Sequence, residues 1–204
     1  SQRHRRAPLV ELNLFRARSF AAGTAAATTF GLVPPAFFFV LALYLQLGRG
    51  YGPLFSGTVF AVVGIGYFAA MFGAEALARR LGRQVLALGA LLVAAGCGAL
   101  AIAANTNSAL DLAPGLALVG FGIGAVLVPL SSMALAGLDP AHAGSAAGML
   151  ATGQQIGAAT GVAVVGTVFF ALAPIPHAFV VSLVVIAGLT LVTAALAQLL
   201  PRLT

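Results

Sequence analysis

Charge is scarce in this chain of 204 residues: Asp, Glu, Lys and Arg make up 7% of it, where soluble domains carry about 25%. Lysine is absent, and all ten cations are arginines, set against four acids. Hydrophobic residues account for 61%, and the mean hydropathy is +1.07. A soluble globule of this make-up could not cover its surface with polar groups, so the solvent for most of the chain is lipid. Disordered, collagen-like and coiled-coil chains each need a different composition and are excluded. The single cysteine, Cys97, permits no internal disulfide and no multi-cysteine metal site.

What the chain does have is long apolar runs. Six are read, at Phe20–Leu47, Leu54–Ala78, Val85–Ala104, Leu112–Ala136, Ala143–Leu172 and Ala178–Leu200. Each is long enough for the roughly 20 residues that cross a hydrocarbon core of about 30 Å. Turn chemistry separates them, at Gly48 to Pro53, Arg79 to Arg83, Asn105 to Ser108, Gly137 to Pro140 and Pro174 to Pro176. Transmembrane strands are about 10 residues long and alternate in polarity, so the runs are helices. The fold class is an all-α integral membrane protein, with a six-helix transmembrane bundle over residues 20–200 and an Arg-rich linker over 1–19. Starting at Ser1 with no initiator Met, the chain is expected to be a processed or truncated piece. The basic start and first apolar run mimic a signal peptide, but the run far exceeds an apolar region of about 7–15 residues.

The arginines set orientation and are not a nucleic-acid footprint. With six spans, both termini share one side. That side holds Arg3, Arg5, Arg6, Arg16, Arg18, Arg79, Arg80, Arg83 and Arg202, and the other holds Arg49. The bias places both termini in the cytoplasm, with the chain in the cytoplasmic membrane.

Polar residues distinguish the spans. The third has nothing more polar than Cys97, and the sixth has Ser182, Thr190 and Thr193, so both are expected to face lipid. The first carries Thr24, Thr28, Thr29 and the pair Pro34-Pro35. The fourth carries Gly120, Gly122, Gly124, Pro129, Ser131 and Ser132, and the fifth Ser145, Thr152, Gln154, Gln155, Thr160 and Thr167. Prolines at membrane depth free backbone groups that lipid cannot satisfy. Spans one, four and five are therefore expected to surround something polar. On the fifth, Gly153, Gly157 and Gly161 form a small-residue stripe suited to close helix packing, with Ser145, Thr152 and Gln155 on the opposite side. Gln155 either makes a structural interhelical hydrogen bond or lines an aqueous cavity. Gln154, nearer the glycines, reads as structural.

Catalytic readings fail on geometry. Asp139, His142 and Ser145 invite a triad, but Asp139 reads as a helix cap with Pro140 at the first helical position, and no oxyanion hole accompanies them. Gly120 to Gly124 mimics a dinucleotide loop inside an apolar helix with no preceding strand. His142 and His177 fall on opposite membrane faces and cannot share a metal. No enzyme activity, cofactor or metal is expected.

The loops carry a resemblance. Glu75-Ala-Leu-Ala-Arg-Arg-Leu-Gly-Arg-Gln84 resembles the cytoplasmic loop motif of the major facilitator superfamily, with Arg80, Gly82 and Arg83 matching. Glu75, Arg79 and Gln84 replace its usual Gly, Asp and basic residue. Pro8 to Phe20, Tyr44 to Gln46 with Gly50 to Pro53, and Ala134 to Val168 are similar to the linker, outer turn and last cytoplasmic turn of the fourteen-span drug/proton antiporters, the EmrB/QacA type. The resemblance implies the C-terminal half of such a transporter, built from two three-helix inverted repeats over about 20–104 and 112–200, with spans one and four along the path and three and six outermost. It implies export of amphipathic or cationic compounds in exchange for protons by alternating access, with membrane lipid, a small-molecule substrate and a missing N-terminal half as partners. Candidate cavity residues are Thr28, Pro34, Ser131, Thr152 and Gln155. No acid lies mid-membrane, since Glu75 and Asp111 sit near interfaces, so this piece alone is not expected to couple protons. The alternative is a self-contained six-span protein that pairs with itself or has a structural role.

The arginine asymmetry makes a topological prediction. An impermeant thiol reagent should label cysteines placed at Arg49 and Asn107 from outside the cell and miss one at Arg83. Labelling at position 83 in intact cells would reverse the orientation.

Overall fold

The computed structural model describes residues 18–106, 108–135 and 143–198. Within them the chain is helical, with six segments long and apolar enough to cross a membrane. In hydrocarbon every backbone N–H and C=O must be satisfied within the segment, which an α-helix achieves alone. The elements are α1 (Arg18–Gly31), α2 (Val33–Leu43), α3 (Pro53–Leu81), α4 (Gln84–Ala103), α5 (Ala113–Leu135), α6 (Ala143–Phe170) and α7 (Ile175–Ala197). A π-helical turn, Tyr44–Gly48, continues α2, and a 3-10 turn, Leu110–Leu112, leads into α5.

The first span, expected as one helix, is two. Pro34 and Pro35 have no N–H, so the carbonyls of Phe30 and Gly31 lose their helical donors and the chain breaks at Leu32. The second helix runs on through Arg79 and Arg80 and stops at Gly82, whose φ of 55° needs glycine. The cap expected from Asp139 and Pro140 lies outside the described residues, as do residues 1–17 of the linker.

Glycine sets the packing. Helix α5 carries Gly120 and Gly124 on one stripe and Gly115 and Gly122 on another, roughly 170° away at about 100° per residue. A Cβ on Gly120 would run into the Val63 carbonyl of α3, and one on Gly122 would sit 2.6 Å from the Gly89 carbonyl of α4. Helix α5 thus lies backbone-close to α3 and α4 at once, and these are the most extensive contacts in the bundle. Helix α6 presents Gly153, Gly157 and Gly161 to Thr28, Gly31 and Leu32 of the first span, and Gly157 and Gly161 are pressed against the carbonyls of Thr28 and Leu32. Span one packs on span five as span four packs on span two, and spans three and six pack on each other. Exchanging each of the first three spans with its counterpart among the last three reproduces this set of neighbours.

Spans three and six do not simply face lipid. Helix α4 buries Val85, Leu86, Val93, Cys97 and Leu100, and the hydroxyl-bearing Ser182, Thr190 and Thr193 of α7 are buried. Their hydroxyls bond carbonyls of their own helix, Ser182 to Ala178 at 2.8 Å and Thr193 to Leu189 at 3.0 Å, which lets them turn inward. The least buried spans are two and five.

Gly157→Leu should lower abundance in the membrane fraction, because overpacking a backbone contact costs at least about 1–3 kcal/mol. Gly98→Leu should leave it unchanged, since a Cβ there meets nothing within 4 Å. Equal immunoblot signals for the two variants would contradict the packing described.

Candidate functional site

A cavity of about 320 Å³ opens between spans one, two and four. The break at Leu32 brings Pro34 and Phe38 of α2 to it. Val63, Gly64 and Tyr67 of α3 form a second wall, and Gly120, Ile123 and Leu127 of α5 a third. The backbone contact at Gly120 holds those two walls together at the base. Phe38, 38% exposed, is braced edge-on by Phe37 and Phe60, each with ring centroids 5.8 Å away. No charged side chain lines the cavity, and Tyr67 supplies its one hydroxyl.

This apolar cavity is formed by spans one, two and four, whereas the polar enclosure was expected of spans one, four and five; the buried Thr24 and Ser145 hydroxyls, on spans one and five, have no partner among the described residues. Of the candidate residues, Pro34 lies on the cavity. Thr28 faces the α1–α6 seam, where a Cβ on Gly153 would come within 2.5 Å of its Oγ1. Ser131 is half-buried, and its Oγ donates to the Leu127 carbonyl at 3.0 Å. Thr152 is exposed and donates to the Gly148 carbonyl at 2.9 Å. Gln155 is exposed on the same face of α6 and makes no hydrogen bond among the described residues. Gln154 meets the first span through its backbone, against Gly31. Pro129, inside α5, leaves the Ala125 carbonyl without its helical donor.

Two arginines tie helix ends. In the loop motif, Arg80 is exposed, while Arg83 donates from Nη1 to the Gln198 carbonyl at 2.7 Å, past the end of α7. At the other end of the bundle, Arg49 donates from Nε to the Tyr44 hydroxyl at 2.7 Å, and from Nη2 to the Ala103 and Ala104 carbonyls at 3.4 Å each. Tyr44 is fully buried and donates its own proton to the Ala104 carbonyl at 3.0 Å. Its ring stacks on Phe179 of α7, 4.1 Å between centroids and 7° from parallel. A cation is thus held against the carbonyl end of α4, where the helix dipole favours it. The sequence shows Arg49 as the lone outer cation, but its carbonyl partners at Ala103 and Ala104 lie more than fifty residues along the chain.

The Major Facilitator Superfamily family model matches residues 1–162. The chain is 38% identical over 174 residues to a probable actinorhodin transporter of Streptomyces coelicolor, covering 81% of this chain and 30% of that protein. It is 31% identical over 159 residues to a multidrug resistance protein B homolog of Mycobacterium tuberculosis, covering 76% and 29%. A puromycin resistance protein of Streptomyces alboniger is 34% identical over 137 residues, covering 64% and 27%. The chain therefore spans about 30% of the length of these relatives.

Removing the outer tie should loosen the bundle. Arg49→Ala should lower the melting temperature of the purified chain, since charged hydrogen bonds of this kind contribute about 1.5–3 kcal/mol each. Arg49→Lys should recover only part of the loss, as one ammonium cannot reproduce the guanidinium fork. An unchanged melting temperature for Arg49→Ala would show that the tie contributes nothing to stability.

Proposed function

Because the chain belongs to the Major Facilitator Superfamily, we propose that it forms the C-terminal half of a secondary transporter that exports drug-like amphipathic molecules from the cell. The cavity between spans one, two and four carries this reading: its walls are apolar and aromatic and present no charge, which suits the hydrophobic portion of an amphipathic cargo. The relatives' names, a probable actinorhodin transporter and multidrug and puromycin resistance proteins, agree with such cargo.

The mechanism is alternating access driven by proton exchange. Among the described residues of the spans no carboxylate sits at membrane depth, and Asp111 is exposed at the entry to α5. The proton-binding groups therefore belong to the N-terminal half. The two inverted repeats, about 20–104 and 112–200, are supported by the exchange symmetry of the helix contacts. The exposed faces of α3 and α6 are where the other half docks, and Gln155 on α6 borders the translocation path between the halves. Both termini are cytoplasmic in the inner membrane, a reading the arginine bias supports.

The test uses the complete transporter in cells stripped of other exporters, with ethidium and several uncharged drugs followed in parallel. Energised efflux that collapses when the pH gradient is dissipated is expected, and Gln155→Ala should change the relative rates among substrates at unchanged abundance. Absence of efflux for every compound would overturn the export reading. Proton-driven movement of a lipophilic cation by the reconstituted 204-residue chain alone would overturn the assignment of coupling to the other half.

A further inference from the structure

Among the described residues nothing packs on Gly64 closely enough to require glycine. It lies in the interior of α3, where glycine costs roughly 0.5–1 kcal/mol relative to alanine. At Gly66, on the same helix, a Cβ would run into the Ala117 carbonyl, so close approach of α5 explains that glycine. A Cβ at Gly64 would meet nothing within 4 Å. Other open glycines of the bundle, such as Gly57 and Gly98, are exposed on its outside, whereas Gly64 is half-buried and lines the cavity. A side chain there would project into the open space.

That space has a size and a chemistry. A dry apolar cavity of about 150 Å³ accommodates benzene, so about 320 Å³ accommodates a ring system about twice as large. Phe38 and Tyr67 supply aromatic surface, Pro34, Ile123 and Leu127 aliphatic surface, and no lining side chain carries charge. The Tyr67 hydroxyl, without a hydrogen-bond partner among the described residues, is the one polar handle. We propose that this cavity is a subsite for the uncharged, flat bicyclic portion of the cargo, and that Gly64 determines which molecules fit by leaving the space open. The identity of what enters rests on the export reading above. The subsite itself rests on Gly64 and the cavity walls.

The experiment measures equilibrium binding of tritiated 1-naphthol, an uncharged bicycle with one hydroxyl, to the purified complete transporter by scintillation proximity. Gly64→Leu should weaken binding by about tenfold or more, the scale on which added methylenes alter fit in an apolar pocket, while Gly98→Leu, on the outer face of α4, leaves it unchanged. Failure of the parent protein to bind 1-naphthol, or binding by Gly64→Leu within about twofold of the parent, overturns the proposal. Should Gly64→Leu not accumulate, Gly64→Cys in a background without other reactive cysteines decides. There 1-naphthol should slow alkylation by N-ethylmaleimide at position 64 and not in Gly98→Cys; no slowing, no alkylation at position 64, or equal slowing at both positions overturns it. Ethidium efflux is followed separately. Naphthol binding without any efflux sinks the export reading alone, and efflux with no effect at Gly64 sinks the subsite alone.

Discussion

Close backbone approach at glycine is the constraint on which the rest of this bundle depends. Lipid offers helices no hydrophobic reason to associate, because hydrocarbon tails are as apolar as leucine. Contact must come from dispersion over well-matched surfaces, which grows as the helices approach. Gly120 and Gly122 let α5 lie against α3 and α4 together, and Gly157 and Gly161 do the same for α6 on the first span. Once those axes are fixed, Leu116, Leu130 and Phe30 fill the gaps as buried side chains. The cavity is where this packing is interrupted, between the proline break in span one and the open glycine of α3.

The polar residues illustrate the other half of the constraint. A hydroxyl in a transmembrane helix can donate to the carbonyl one turn back, as Ser131, Thr152, Thr167 and Ser182 do. Satisfied in that way, it can sit in a core, at a seam or on an outer face. Tyr44 and Arg49 bond each other and also reach the carbonyl end of a neighbouring helix, at Ala103 and Ala104.

This explains what was legible in the sequence. The six spans and their breaks were visible because bilayer thickness imposes a length and turns impose Gly and Pro, as at Gly82 and Pro53. The spacing of Gly153, Gly157 and Gly161 showed a stripe fit for close packing without saying which helix it meets, and the partner is the first span. The cavity was not legible. Counting hydroxyls pointed to spans one, four and five, but those of Ser131 and Thr152 bond their own helices and so do not mark this cavity. Its walls at Phe38, Gly64 and Gly120 belong to three separate helices, and no local pattern relates them. The first span's break could be anticipated from Pro34-Pro35, but not the π-helical turn that swings Tyr44 towards α4.

The third span is anchored at both ends by cations. Arg83, at its start, holds the last turn of span six, and the Tyr44–Arg49 pair of span one holds its final carbonyls at the opposite membrane surface. Such a member behaves as a strut in a frame. It is tied to span six at one membrane surface and to span one at the other, so neither neighbour can splay from it without breaking a charged or buried hydrogen bond.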